Sequence, residues 1–384
     1  MSYRIFLFSI FLKCLPLFET IILEIIDMIN SVITGSGHYL PNRIIKNEHF
    51  HSYTFYDESG ELIEKPAHEI TQKFEEITEI KERRYVEDDV LNSDIATFAA
   101  RKAIEEAGIN PEELDYIIVG HNFGDIDPVG RRIDIMPSIS AKVKHNLGIK
   151  NLKCIPYDMT FGCPGWVESL ILAHQFIQAS IAKKVLVIGS DTLSRASDPY
   201  DRSAMIFADG AGAVVLEGKE DDEKYGILNH ETLSYTGDEI EYLKNGMSLN
   251  PNYTASTKNI QMKGRKVYEF VLKNVPPALK ALLDATNLDI DDVNKILLHQ
   301  ANAKMDHAMI QRLYKSYGKT APENIDPMTV QFLGNTSVAT VPTMFDLIAK
   351  GELKPHQFNA NDTIIMASVG ATMNVNAVIY KFKK

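Results

Sequence analysis

The sequence predicts an α/β protein made of two pseudo-repeated halves, on three observations. Apolar residues at helical spacing from Ser93 to Gly108 lead into the run Ile117-Ile118-Val119, and the order returns at Ala281 to Ala285 followed by Ile296-Leu297-Leu298. Ala103 and Ala107 match Ala281 and Ala285 at an offset of 178, and Ile109 and the strand match Leu288 and its strand at 179. A Gly-rich turn into a strand, Asp209-Gly210-Ala211-Gly212-Ala213-Val214-Val215, is echoed by Val369-Gly370-Ala371 ahead of Val375 to Ile379. Continuous apolar strands, Val185-Leu186-Val187-Ile188 and Thr363-Ile364-Ile365-Met366, are the kind that helices cover on both faces.

In chain order, residues 1–27 hold two short apolar runs, Ile5 to Leu12 and Leu17 to Ile26, each too short to span a bilayer and interrupted by Lys13, Pro16, Glu19 and Glu24. With no small-residue cleavage site after them, they read as an upstream extension rather than a signal peptide. The folded part then begins at Met28, with Ile29 to Gly35 as an opening strand and turn. Gly108 is expected to stop the first long helix. The charged run Gly218 to Lys224 marks the seam, giving an N-terminal half at 28–222 and a C-terminal half at 223–384. Ser52 to Lys73 and Asn122 to Asp134 read as insertions, and long loops in compact domains often carry function.

Composition narrows the function. The 384 residues are 45% apolar and 24% charged, an ordinary globular balance. Forty Lys and Arg stand against 51 Asp and Glu, so at net charge −11 nonspecific attraction to nucleic acid or anionic lipid is not expected. No stable membrane insertion is expected either. Cys14, Cys154 and Cys163 are too few and too scattered for a disulfide framework or a thiolate metal site, which points to an intracellular, cytoplasmic chain without metal.

Three residues could carry chemistry. Cys163 lies in Phe161-Gly162-Cys163-Pro164-Gly165-Trp166, just ahead of apolar residues at helical spacing. Pro164 suits a first helical position, and the free N–H groups there are expected to lower the thiol pKa from about 8.5. The glycines on either side let a substrate approach the sulfur. His299 follows the strand Ile296-Leu297-Leu298, at the edge where ligands bind in parallel sheets. Asn335 lies in Gly334-Asn335-Thr336-Ser337, where an Asn holding a turn is the simpler reading.

Taken together these strings resemble the β-ketoacyl-acyl-carrier-protein synthase III family of the thiolase superfamily. The resemblance runs almost the whole length from Met28: Val32-Ile33-Thr34-Gly35 with Tyr39-Leu40-Pro41, Ile80-Lys81-Glu82-Arg83-Arg84, Phe207-Ala208-Asp209-Gly210-Ala211-Gly212, His299-Gln300-Ala301-Asn302 and Gly334-Asn335-Thr336-Ser337. It implies a thiolase-like five-layer αβαβα fold, a homodimer, and a Cys163, His299, Asn335 site. It also implies that Cys163 takes an acyl group from a thioester, that malonyl-acyl-carrier protein then loses carbon dioxide, and that the two join. Backbone N–H groups of Cys163 and Gly370 would stabilise the thioester oxygen. No cofactor is implied beyond the coenzyme A or phosphopantetheine that the substrates carry.

Two departures bear on the donor. The family's adenine-stacking tryptophan is Lys73 here, and the glycine before the Glu-Arg motif is Glu79, while Arg202 still matches the arginine facing that tryptophan. These changes fit a longer acyl-CoA or an acyl-carrier-protein donor better than acetyl-CoA. Lys304, Arg202 and Lys73 are the candidates to meet a phosphopantetheine phosphate. Other readings stay open: a condensing enzyme of secondary metabolism that joins two acyl chains or forms a cyclic dione or resorcinol precursor, a papain-like cysteine hydrolase, and a silent binding subunit. The 136 residues from Cys163 to His299 suit the hydrolase spacing of roughly 130–150, but the sequence around Cys163 does not.

Overall fold

The computed structural model describes residues 29–253 and 258–384; the expectations for residues 1–27 lie outside them. In chain order the strands are β1 (Ile29–Tyr39), β2 (Arg43–Lys46), β3 (Glu82–Tyr85), β4 (Tyr116–Gly120), β5 (Asp125–Ile126), β6 (Ile133–Asp134), β7 (Ile155–Met159), β8 (Lys184–Thr192), β9 (Asp209–Glu220), β10 (Gly226–Ser234), β11 (Leu243–Gly246), β12 (Asn259–Met262), β13 (Val293–Leu298), β14 (Thr363–Val369) and β15 (Asn374–Lys381). Of the two large sheets one has the order β1-β9-β8-β4-β7 and the other β10-β15-β14-β13, and β11-β12, β2-β3 and β5-β6 form two-stranded sheets. In the first, β4 runs parallel to β7 and β8; in the second, β13 runs parallel to β14.

Strand alternation builds the layers, because successive side chains point to opposite faces. Along β8, Val185 and Val187 enter the cluster between the sheets, while Leu186 and Ile188 pack outward. On β14, Ile364 and Met366 face the middle, and Ile365 and Ala367 face the other outer layer. The helices Gly165–Gln178 and Thr340–Ala349 fill the middle, contributing Leu170, Ile171, Val341 and Met344. Helix Asn92–Ala107 covers one outside with Ile95 and Ala99, and Gly264–Ala285 and Ala303–Ser316 cover the other with Leu279, Leu283 and Leu313. The result is the five-layer αβαβα arrangement.

Two local expectations shift. The opening strand does not turn at Gly35; β1 continues to Tyr39 with a register irregularity between Ile33 and Gly35. The glycines serve close packing: a Cβ on Gly35 would sit 2.3 Å from the Ala103 carbonyl oxygen, and one on Gly37 2.5 Å from that of Ala99, so helix Asn92–Ala107 rests directly on the strand. Pro164 is the residue before the helix, at φ −70° and ψ −4°, and the helix begins at Gly165.

Gly189, on β8, ties the fold to the site. A Cβ there would lie 2.3 Å from the Val338 carbonyl oxygen and 3.0 Å from the Trp166 Cβ, so residues 335–339 press directly onto the strand. Gly189→Ala is expected to cost roughly 1–3 kcal/mol through overpacking. A urea midpoint unchanged from the wild type would contradict this.

Candidate active site

Five strands of the parallel portions deliver their carboxyl ends to one region. His121 and Asn122 follow β4, Cys163 follows β7, Asp191 ends β8, His299 follows β13 and Gly370 follows β14. This is the edge at which open α/β sheets bind ligands. Here both sheets contribute, so the site joins the two halves of the chain.

Cys163 occupies the turn between β7 and helix Gly165–Gln178, with Gly162 at φ +71° bringing the chain round. Gly370 admits the sulfur: a Cβ on it would fall 2.6 Å from the Cys163 Cβ and 2.9 Å from Sγ. The thiol pKa does not fall as the helix start suggested. Burial pushes it up to about 11, the Asp191 charge adds to the rise, and hydrogen bonds from the Ser337 hydroxyl and the N–H groups of Cys163 and Ala371 oppose it. Desolvation penalises the charged thiolate. The second backbone donor also shifts by one residue from Gly370. The Gly370 N–H turns to the Asn374 carbonyl at 3.4 Å, and the Ala371 N–H meets the sulfur. Gly370 acts by leaving space. Gly370→Ala is expected to slow enzyme acylation by about 100-fold, since displacing a reacting atom by an ångström has that scale; acylation at the wild-type rate would refute the packing argument.

His299 is buried, and its backbone N–H donates to the Ala367 carbonyl at 2.8 Å, which fixes it at the end of β13. Its ring lies against the Ser337 backbone, and burial pushes its pKa down to about 4, with that backbone contact opposing the fall. The imidazole is therefore neutral near pH 7, and its Nδ1 is buried without a partner among the described residues. Asn335 is held on both backbone sides: its N–H donates to the Ile206 carbonyl at 2.9 Å and its carbonyl accepts from Ala208 N–H at 2.9 Å. Its Oδ1 accepts from Ser337 N–H at 2.7 Å, which leaves the NH2 end of the amide for a ligand. Cys163, His299 and Asn335 thus all touch one residue, Ser337.

Sequence reasoning missed Ser337, Asp191 and Asn122. The Asn122 backbone N–H donates to Asp191 Oδ1 at 2.9 Å, and its Nδ2 reaches Asp191 Oδ2 at 2.5 Å and Ser337 Oγ at 2.9 Å. Ser337 is a non-glycine residue at φ +53°, the kind of backbone strain that persists where surroundings over-determine it. Gly189-Ser190-Asp191 does carry a signal: polar residues at the carboxyl end of an apolar strand.

The substrate-binding candidates fall into two places. Lys73 pairs with Glu76 at 3.0 Å, and Lys304 Nζ donates to the Glu76 backbone carbonyl at 2.5 Å. Lys304 lines an open cavity of about 840 Å³ together with Glu48, Glu75, Glu76 and Glu79. Arg202 is exposed, at the start of a short 3-10 turn, with its charge felt at Asp57. Among the described residues no group of three or more His, Cys, Asp or Glu side chains is placed to hold a metal ion.

The chain is similar to known proteins over most of its length. The family model for 3-oxoacyl-[acyl-carrier-protein (ACP)] synthase III matches residues 157–235, and the model of its C-terminal part matches 283–382. A β-ketoacyl-[acyl-carrier-protein] synthase III of Staphylococcus aureus strain Newman is 33% identical over 92% of this chain and 100% of its own length. The crystal structures of the synthase III of Aquifex aeolicus and of Thermus thermophilus superpose with TM-scores of 0.73 at 27% and 28% identity, covering 92% of this chain and 100% and 99% of theirs. The priming β-ketosynthase of the R1128 polyketide pathway shares the fold, with a TM-score of 0.75 at 24% identity over 92% of this chain and 97% of its own. Fold and site define an acyl-transferring condensing enzyme of thiolase-like architecture. The chain belongs to the β-ketoacyl-acyl-carrier-protein synthase III family.

Proposed function

We propose that the protein condenses an acyl thioester with malonyl-acyl-carrier protein, with loss of carbon dioxide, to a β-ketoacyl-acyl-carrier protein by way of acyl-Cys163. The observation that carries this reading is the meeting of the Cys163 thiol, the His299 ring and the Asn335 amide around Ser337. In the acylation step the N–H groups of Cys163 and Ala371 meet the negative charge that develops on the thioester oxygen. The acyl group then leaves the sulfur blocked and uncharged. Decarboxylation of the malonyl group makes an enolate, and a neutral imidazole N–H and the Asn335 NH2 are donors for its oxygen in a buried site. The enolate carbon attacks the acyl-Cys163 carbonyl, the C–S bond breaks with its electron pair on sulfur, and a proton taken up from solvent restores the thiol.

Finer features extend this reading. The halves are 28–222 and 223–384, supported by one sheet closing at Glu220 and the other opening at Gly226. The donor is a longer acyl-CoA or an acyl-carrier protein, and the protein works in the cytoplasm without a metal cofactor. No helix among the described residues is long and apolar enough to cross a membrane. Arg202 is the foremost phosphate contact, because the glutamates around Lys304 and Lys73 oppose an anion there. The enzyme is a homodimer, which an open sheet edge supports: β7 pairs only with β4 among the described residues, with Tyr157 exposed on it. Asp158 of β7 accepts from the N–H groups of Ile139 and Ser140, and the exposed Ile135 and Met136 come just before these in the chain. Such a patch fits a second copy.

Incubation with labelled malonyl-carrier protein and a panel of acyl donors tests the reading. Carbon dioxide release with a new C–C bond is expected, fastest with donors longer than acetyl-CoA. Fastest self-acylation by acetyl-CoA would overturn the donor assignment, and a cyclic or two-chain product would move the enzyme to secondary metabolism. Sedimentation is expected to show a dimer.

A further inference from the structure

We infer that Asn122 and Asp191 are positioning residues for condensation, which act through Ser337 to fix the end of the Asn335 amide that faces the enolate. The inference rests on the role proposed for Asn335 and adds what orients its amide. Asn122 lies two residues beyond Gly120 of β4, and Asp191 lies two beyond Gly189 of β8. Those glycines are partners in the parallel register, so the two side chains meet at the carboxyl edge of the sheet. Asn122 grips the carboxyl group twice, by its N–H to Oδ1 at 2.9 Å and by Nδ2 to Oδ2 at 2.5 Å. Nδ2 also donates to Ser337 Oγ at 2.9 Å, and Ser337 N–H donates to Asn335 Oδ1 at 2.7 Å. Asp191, Ser337 and Asn335 are all buried.

Each link of this chain has one sense. A carboxylate accepts and cannot donate, so Asp191 draws the NH2 end of Asn122 toward itself, and the second proton of that NH2 is left for Ser337 Oγ. A backbone N–H donates and cannot accept, so Ser337 takes the oxygen end of Asn335. The Asn335 main chain is pinned on both sides, to the Ile206 carbonyl and the Ala208 N–H, so its side-chain amide is the part left to turn. Held as it is, the amide offers its NH2 to the enolate oxygen. Turned over, it would set its own oxygen against that charge.

Ser337 is where the chain can fail. Its φ is +53°, a region that strains an L side chain and that glycine enters freely. The Asn122 bond holds the Ser337 side chain in that conformation, and the close approach of the Val338 carbonyl to Gly189 holds the backbone just after it. Without the Asn122 bond, residue 337 can relax toward ordinary φ, which swings its N–H away from Asn335 Oδ1. A bond that served only to fasten the 335–339 loop would instead affect both half-reactions alike.

The test follows two single-turnover rates in the full chain, acylation of Cys163 by an acyl-CoA and condensation of the pre-acylated enzyme with malonyl-acyl-carrier protein, and reads their ratio. Asn122→Ala, and Asp191→Ala, which frees the Asn122 amide to turn, are each expected to lower the ratio of condensation to acylation by about 10- to 100-fold, the upper figure being the scale for a group misplaced by an ångström. Ser337→Ala and Ser337→Gly both remove the hydroxyl that Asn122 holds, and they differ in their tolerance of positive φ. Ser337→Ala is expected to lower the ratio as Asn122→Ala does, with Ser337→Gly about fivefold or more above it. Adding Ser337→Gly to Asn122→Ala is expected to recover most of the loss. The pair at 337 decides the matter even where the other variants fail to fold. A ratio unchanged in Asn122→Ala or Asp191→Ala, whether both rates hold or both fall together, overturns the proposal, as does a Ser337→Gly ratio no higher than that of Ser337→Ala. A wild type whose Cys163 takes no acyl group overturns the functional reading beneath it instead.

Discussion

Cys163→Ala is expected to lose enzyme acylation to background, with no acyl mass added to the protein on incubation with any acyl thioester. The effect is the largest expected because, on the proposed mechanism, the substitution removes the sulfur that holds the acyl group between the two substrates. Cys154 cannot stand in: it is fully buried in the outer cluster under helix Asn92–Ala107, and burial pushes its thiol up to about 11 with no substrate-facing edge beside it. Cys163 has the same direction of shift but a different setting, with hydrogen-bond donors from Ser337, Ala371 and its own N–H around the sulfur. A raised pKa favours the thiol over a standing thiolate, so reactivity depends on where the thiol proton goes. Intact-mass analysis checks the prediction. An acyl adduct on the variant, or one mapped to Cys154 in the wild type, would remove Cys163 from the mechanism.

The halves of the fold were legible because each is written in apolar runs that only helices on both faces can cover. Val185 to Ile188 and Thr363 to Met366 show no alternation in sequence, and in the structure their alternate residues enter different clusters of the same core. The three candidate side chains could be singled out because each stands beside glycines or at a strand end. What could not be read was the sign of the Cys163 shift. A helix start is visible in sequence, but the raised pKa comes from burial, and part of what covers the sulfur, the backbone at Gly370, is far away along the chain. Ser337 was hidden for the same reason. In its string it is one more small polar residue after Asn335, and only the close approach of Val338 to Gly189 turns its hydroxyl into the point where the two halves meet. Lys304 shows what the motif alone leaves out: a lysine beside the histidine motif suggests an anion site, and the glutamates that line the same cavity, Glu48, Glu75, Glu76 and Glu79, come from more than 200 residues earlier in the chain.

Replacing His299 or Asn335 separates the two half-reactions, and the pattern across variants tests their role more closely than loss of activity does. His299→Ala and Asn335→Ala are each expected to leave acylation of Cys163 near the wild-type rate and to slow condensation by roughly 100- to 1,000-fold, the scale of one lost donor to a developing oxyanion, about 3 kcal/mol. Because burial holds the His299 imidazole neutral above about pH 4, its contribution is a neutral N–H, and His299→Gln, which keeps one, is expected to recover part of the rate. Asn335→Asp is expected to do worse than Asn335→Ala. Its carboxylate still accepts from Ser337 N–H but places a negative oxygen where the NH2 faced the enolate. Single-turnover measurements on pre-acylated enzyme, following carbon dioxide release and product formation, give these rates. If Asn335→Asp condensed faster than Asn335→Ala, the group at this position would be serving as an acceptor, and the enolate would have to be stabilised by other donors.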